Sequence, residues 1–190
     1  MSNSYAHPLA SIGIECFYRE YWQRKPLFIK QALPNIALPL EANELAGLSC
    51  EEEVASRIVT GTWDHMDFKV EHGPIAESRY DDIGASNWTL LVQDVDKIIP
   101  EAKNLLDLFD FLPSWRIDDL MISFASEGGS VGPHTDEYDV FLIQLEGTRR
   151  WQIAEKFDPI DLFRTCSDAF RTLFDRRRRC RRRRQRTPNA

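Results

Sequence analysis

The second half of this chain is a series of short apolar segments separated by turns, and this pattern restricts the possible folds more than any other feature. The segments "RIDDLMISFA" (116–125) and "YDVFLIQL" (138–145) flank the glycine-rich stretch "SEGGSVGP", and "LEGT" then leads into "RRWQIA" (149–154). Apolar runs of roughly four to eight residues between turn signals indicate strands, since they are too short for ordinary helices. The pattern therefore predicts a β-sheet core for this half.

Helical patterns predominate before it. Apolar spacing predicts a helix over residues 9–24, and Ser49 followed by glutamates predicts a helix that begins there. Pro100 begins a helical pattern over 100–112 that places Ala102, Leu105, Leu106 and Phe109 on one face. Strands are predicted over 26–33, 66–74 and 87–93. Helices first and strands later indicate an α+β fold with a mostly β core.

Length and composition exclude several other classes of protein. With 190 residues and 43% hydrophobic content, the chain can form one domain with a substantial core. The start "MSNSYAHPLA" lacks the features of a secretory signal, and no apolar run approaches the ~20 residues of a membrane span. The four cysteines form no Cys-x-x-Cys pair, so no disulfide framework or zinc knuckle is indicated. We therefore expect a cytoplasmic protein without a membrane partner.

Charge is divided unevenly along the chain. Nine of the 24 Lys and Arg residues lie in "RRRRCRRRRQR" (176–186), and all 30 acidic residues precede it, so the remainder carries 15 − 30 = −15. An acidic body favours a basic partner such as a cationic protein segment. Hydrophobic patterning is lost near residue 158, so 158–190 is predicted to be a disordered, arginine-rich tail. Any nucleic-acid contact is expected to be electrostatic and to use this tail.

One pair of residues indicates a metal site. His134 and Asp136 lie two positions apart, and alternate residues of a strand point to the same side. With a second histidine they would occupy one face of an octahedron, as in non-haem Fe(II) oxygenases. The motif alone is weak, because His65-Met66-Asp67 repeats it where a loop or strand-edge pair is expected.

The surroundings of His134 and Asp136 strengthen the metal hypothesis. A loop with three glycines precedes the pair, and glycine lets backbone approach a bound group closely. The apolar segment "VFLIQL" follows, as expected of a buried strand. Arg149 and Arg150 come next, and one of them could reach inward to bind a carboxylate.

Several longer blocks resemble a known family. "NWTLLVQDVD", "WRIDDLMISFASEGGSVGPHTDEYDVFLIQ" and "RRWQIAEK" look like the bacterial ribosomal oxygenases, and "YWQRKPLFIKQA" and "EHGP" extend the likeness over roughly residues 17–156. The resemblance implies an incomplete JmjC-type cupin fold, a double-stranded β-helix (jelly roll). Residues 1–86 would form its N-terminal α/β part and residues 87–157 the first half of its core.

The resemblance also implies an activity and residue roles. The family uses Fe(II), 2-oxoglutarate and O2 to hydroxylate an arginine in a basic loop of a ribosomal protein, the sixteenth of the large subunit, and a homodimer would be compatible with it. His134 and Asp136 match the first two iron ligands, and Arg149 matches the residue that binds the distal carboxylate of 2-oxoglutarate. An acid beside a thioether and an aromatic ring suits a flat guanidinium. The pocket for the substrate arginine is matched by Asp119, Met121 and Tyr138.

The third iron ligand is the point where the resemblance fails. The family places a distal histidine late in the jelly roll, in an "EPGD…P…H" context, whereas no histidine follows His134 here. Three explanations are open: a truncating frameshift near residue 158, a selected short variant with a nucleic-acid-binding tail, or recruitment of His7, His65 or His72. Hydroxylation is expected to be impaired, and the alternative function is a non-catalytic remnant or binding module.

Overall fold

The structure is a computed structural model that describes residues 7–34, 36–37 and 40–153. The predicted tail, 158–190, lies outside this part, so its disorder and its contact with nucleic acid stay predictions. None of the helices in the described part has the length and apolarity needed to cross a bilayer. The α-helices there are α1 (Ile14–Glu20), α2 (Ala42–Ser49), α3 (Ser78–Asp82), α4 (Val95–Ile98) and α5 (Pro100–Lys103), and the 3-10 helices are Leu106–Phe109 and Ser114–Arg116. The strands are β1 (Ser56–Thr60), β2 (Lys69–His72), β3 (Trp88–Val92) and β4 (Ile122–Ala125).

The chain forms two compact units, each assembled from separate segments. The described residues contain both helices and a four-stranded sheet, so the predicted α+β class is confirmed. Of the described residues, unit 1 comprises those up to Leu45, Gln93–Ile122 and Asp136–Trp151, and unit 2 comprises Ala46–Val92, Ser123–Thr135, Gln152 and Ile153.

The sheet has the strand order β2-β1-β3-β4. β1 runs antiparallel to both β2 and β3, so that Ile58 lies opposite Glu71 on one side and Leu90 on the other. In β3 every residue after Trp88 is buried, which is typical of an apolar strand covered on both faces. The edge strand β2 is mostly exposed and carries charges such as Lys69, which discourage pairing with another chain. The strands predicted within 66–74 and 87–93 are therefore confirmed.

Helix α2 lies before the predicted position, and this expectation was wrong. Ser49, the predicted N-cap, is the last residue of α2, and its Oγ donates to Ala46 O at 2.6 Å. The start of α2 is fixed instead by Glu44, whose Oε2 accepts a hydrogen bond from the Glu41 N–H at 2.8 Å. This bond satisfies a backbone N–H at the helix start that has no partner within the helix. Ile58 and Val59, which follow Ser49 by about ten residues, lie in β1, where β-branched residues pack well.

Two other predicted helices are shorter than expected. α1 begins at Ile14 because Gly13 precedes it in a left-handed conformation, with φ 78°. Pro100 begins α5 as predicted, but α5 ends before Asn104, a residue type that favours helix ends, and a 3-10 helix follows. Ala102, Leu105 and Phe109 are buried, as expected from their common face; Leu106 is only partly buried.

Several predicted strands are not formed in the described part. Residues 26–33 and 126–153 contain no strand. A strand requires a neighbour that satisfies its backbone hydrogen bonds along its length. In the second segment the Ser126 N–H donates to Trp88 O of β3 at 3.1 Å and Glu127 forms an isolated bridge with Ser86, but the described sheet includes no strand from either segment. The expectation that His134 and Asp136 alternate on a strand is therefore wrong. Asp119 and Met121 likewise precede β4 rather than sharing a strand face, because the backbone of Leu120 is hydrogen-bonded to α4.

Candidate metal and arginine site

The glycine-rich loop before His134 packs on the sheet of unit 2. A Cβ at Gly129 would lie 2.2 Å from the backbone oxygen of Trp88, and one at Gly132 would lie 2.9 Å from Cδ2 of Phe68. Gly132 also has a φ of 73°, which disfavours side chains. Both positions therefore require glycine, and the close approach fixes the path of the loop up to His134.

The ring of His134 is oriented by the same loop. Its Nδ1 lies 3.0 Å from the carbonyl oxygen of Gly132. A carbonyl oxygen can only accept a hydrogen bond, so Nδ1 is the donor and carries the hydrogen. The neutral ring then has its lone pair at Nε2, and metal-binding histidines are commonly oriented in this way by a carbonyl. His134 thus has the tautomer that a metal ligand needs.

Asp136 and Tyr138 begin the last segment of unit 1 and are exposed, Tyr138 to 69%. The adjoining Asp139 anchors this segment, because its Oδ2 accepts a hydrogen bond from Nε2 of Gln23 at 2.8 Å. A carboxylate and an aromatic ring are therefore exposed on the surface of unit 1.

An aromatic cluster holds the same segment against the rest of unit 1. The ring of Phe141 contacts four others, at centroid distances from 4.9 Å for Phe109 to 6.2 Å for Phe17. It stacks on Trp22 at 6.1 Å and meets Phe111 edge-on at 6.0 Å. Tilted, edge-on and offset-stacked arrangements at these distances are favourable. Phe141 therefore anchors the segment that carries Asp136 and Tyr138.

Arg149 is a partly buried cation. Burial lowers the pKa of its guanidinium from the usual value, and the group lies 5.8 Å from the ring of Trp151. Within the part of the chain that the structure describes, no carboxylate forms an ion pair with it. A guanidinium of this kind gains most from a carboxylate ligand, which would compensate its charge.

Asp119 and Met121 lie two residues apart in unit 1, just before β4. Asp119 Oδ2 accepts the Asp94 N–H at 3.2 Å. Met121 is 41% exposed, so it does not fill the core. Sequence reasoning missed Asp94 and its neighbour Asp96, although two aspartates directly after an apolar strand are a signal for side-chain-to-backbone bonding.

The second His-x-Asp motif has a different role. Asp67 Oδ1 accepts the Thr62 N–H at 2.9 Å, and this bond lowers the pKa of the carboxyl group. The pair thus lies in a closed loop, as predicted. His7 also forms a hydrogen bond to the backbone, because its Nδ1 accepts from the Leu9 N–H at 3.0 Å.

The described residues include donor atoms suited to a metal ion but do not form a complete metal site. An imidazole nitrogen and a carboxylate oxygen suit Fe(II), and His134 and Asp136 supply one of each. Among residues 7–34, 36–37 and 40–153, no three His, Cys, Asp or Glu side chains are grouped to hold a metal ion. Unit 2 contains His134, and unit 1 contains Asp136 together with Asp119, Met121, Tyr138 and Arg149.

Comparisons with known proteins agree on one family. The model of the JmjC domain matches residues 104–175. The chain is 48% identical over 142 residues to the ribosomal protein uL16 3-hydroxylase of Escherichia coli (strain K12), which covers 74% of this chain and 36% of that protein. It is 42% identical over 144 residues to a probable ribosomal oxygenase of Haemophilus influenzae, covering 76% and 35% of the two chains. The chain therefore spans about a third of the length of the curated relatives it matches.

Solved structures show the same likeness in three dimensions. The E. coli ribosomal oxygenase YcfD, in complex with cobalt and succinic acid and in complex with cobalt and 2-oxoglutarate, matches with a TM-score of 0.63 at 41% identity. The match covers 70% of this chain and 35% of the YcfD chain. The predicted JmjC/cupin-type fold is thereby confirmed.

Proposed function

This chain is a relative of the JmjC-type ribosomal oxygenases, and from that premise we propose that it carries part of the active site of an Fe(II)- and 2-oxoglutarate-dependent oxygenase. The substrate is an arginine side chain of the ribosomal protein uL16, the protein named for the E. coli relative. The observation that carries the proposal is the orientation of His134 by the Gly132 carbonyl, which prepares Nε2 for a metal.

The metal ligands in this proposal are His134 Nε2 and the carboxylate of Asp136. Both residues follow the glycine-rich loop, and their atoms are of the kind that Fe(II) accepts. Iron and 2-oxoglutarate together supply the activation of O2 that hydroxylation needs. A third ligand is left unassigned, because the described residues contain no group of three donors placed for a metal. The recruitment of another histidine stays a prediction.

Arg149 is proposed to bind the distal carboxylate of 2-oxoglutarate. Its partial burial and the lowered pKa mean that the cation is imperfectly solvated, and a bidentate carboxylate would restore both charge balance and hydrogen bonds. The relative whose structure contains cobalt and 2-oxoglutarate supports the choice of this co-substrate.

Asp119, Met121 and Tyr138 are proposed to receive the substrate arginine. A carboxylate pairs with the guanidinium, a thioether packs beside it, and an aromatic face attracts the delocalised cation. The exposed fractions of Met121 and Tyr138, 41% and 69%, leave them able to contact a protein substrate. A ribosomal substrate would place the enzyme in the cytoplasm. The homodimer with which the family resemblance is compatible stays a prediction.

The test separates metal binding from catalysis. Cobalt and 2-oxoglutarate binding to the full chain should be measured by calorimetry for wild type, His134→Ala and Asp136→Ala, with Asp107→Ala, which removes an exposed carboxylate from the 3-10 helix Leu106–Phe109, as the matched control. Removal of a residue that only hydrogen-bonds to a metal ligand typically weakens metal binding roughly 10–100-fold, and removal of a ligand itself should weaken cobalt binding by more than this. In mass spectrometry of a uL16 peptide incubated with Fe(II), 2-oxoglutarate and O2, addition of one oxygen atom should be slow at most, because a third metal ligand is unassigned. Equal cobalt binding by all four proteins would refute the site and favour a non-catalytic binding module.

A further inference from the structure

We propose that Asp96 is a positioning residue for arginine recognition, acting through the backbone of Leu120 on the carboxylate of Asp119. The inference rests on the proposed function, which assigns Asp119 to the guanidinium of the substrate. Asp96 itself touches no reacting group in this proposal.

Three hydrogen bonds join the start of α4 to the segment before β4. Asp96 Oδ1 accepts the Leu120 N–H at 2.8 Å, and the Leu120 carbonyl accepts the Val95 N–H at 3.0 Å. Asp119 Oδ2 accepts the Asp94 N–H at 3.2 Å. Both backbone groups of Leu120 and one oxygen of Asp119 are therefore held by three consecutive residues of unit 1.

The arrangement leaves Asp119 suited to bind a cation. A carboxylate has two oxygens, so Oδ2 can hold the backbone while Oδ1 faces a guanidinium. The neighbouring Asp94 is compensated by Lys97, because its Oδ1 accepts a hydrogen bond from the ammonium group. This bond, followed by the charges of Asp94, Asp96 and Asp119, raises the pKa of Lys97.

Positioning matters because recognition of arginine is directional. The planar guanidinium pairs with a carboxylate in a fixed fork geometry, whereas a lysine ammonium binds as a point charge. Loss of the Asp96 bond would free the Leu120 amide and allow the peptide between Asp119 and Leu120 to rotate. Affinity for an arginine should then fall more than affinity for a lysine at the same place.

The experiment uses the full chain and two fluorescent uL16 peptides, one with the arginine and one with lysine in its place. Asp96→Ala should weaken binding of the arginine peptide about tenfold and binding of the lysine peptide much less, because the partly buried hydrogen bond from the Leu120 N–H is lost. Asp96→Asn keeps an acceptor oxygen and should restore both values. Asp107→Ala, on the 3-10 helix Leu106–Phe109, is the matched control for a lost surface carboxylate. Hydrogen exchange at the Leu120 amide should accelerate only in Asp96→Ala.

The outcomes separate this inference from the proposed function. If wild type discriminates the two peptides and Asp96→Ala does so equally well, Asp96 does not position Asp119, although the proposed function stands. Failure of Asp96→Asn to restore discrimination overturns the inference too. If wild type binds neither peptide, the substrate assignment itself falls and the inference with it. Should Asp96→Ala not fold, Asp96→Glu, whose longer side chain displaces the oxygen from the Leu120 amide, is expected to give the same loss of discrimination.

Discussion

Replacing Phe141 with alanine should destabilise the chain by about 2–3 kcal/mol. Truncation of a fully buried phenylalanine costs about 3–5 kcal/mol. Phe141 is 37% exposed, so 100 − 37 = 63% of its surface is buried, and the loss scales to about two thirds of the full value. The four ring contacts of Phe141, the nearest at 4.9 Å, are all lost in the variant, which supports the upper half of the range.

The assay is urea unfolding followed by tryptophan fluorescence, with Phe28→Ala as the matched control. Phe28 also lies in unit 1 but is 87% exposed, so its truncation should change the free energy of unfolding by less than about 0.5 kcal/mol. Equal unfolding midpoints for the two variants would show that the aromatic cluster does not hold residues 136–151. The anchoring of Asp136 and Tyr138 described above would then be wrong.

Further predictions concern the loop, the second motif and the co-substrate site. Gly132→Ala should destabilise the chain by about 1–3 kcal/mol more than Gly84→Ala in urea unfolding, because both have positive φ but only the first Cβ meets a ring. The pKa of the Asp67 carboxyl group, measured by NMR titration, should be lower than the pKa of an aspartate in an unstructured peptide. Because the pKa is lowered by folding, the ionised group stabilises the folded state above the ordinary carboxyl pKa, and this stabilisation is lost as the pH falls through the lowered pKa. Arg149→Met should leave the thermal midpoint unchanged or raised yet weaken 2-oxoglutarate binding about tenfold or more by calorimetry, whereas Arg150→Met should not weaken it.

The elements that were predicted correctly have strong local signals. β3 combines continuous apolar sequence with flanking turns, and α5 begins at a proline, so each is specified by residues within it. The burial of Ala102 and Phe109 followed from helical spacing, even though the helix is broken between them. In these cases short-range chemistry and tertiary packing favour the same structure.

The remaining features depend on contacts between distant positions. β4 is shorter than predicted because Leu120 bonds to Asp96, 24 residues away, instead of to a strand. The start of α2 depends on the Glu44 side chain, which competed with an equally plausible Ser49 cap. For the site, the pair His134 and Asp136 could be identified from spacing, but the tautomer of His134 depends on the Gly132 carbonyl and no sequence pattern specifies it. The assigned roles of these residues stay predictions.

The connections within the sheet have a consequence for the order in which it folds. β1 and β2 are separated by 69 − 60 − 1 = 8 residues, whereas β1 and β3 are separated by 88 − 60 − 1 = 27, and β3 and β4 by 122 − 92 − 1 = 29. Closing the longer loops costs about 1 kcal/mol more entropy than closing the hairpin. The β1–β2 hairpin should therefore form first, and during synthesis β4 can join only after Ala125 has left the ribosome. Pulse-labelled hydrogen exchange in which amides of β4 are protected before those of β2 would contradict this order.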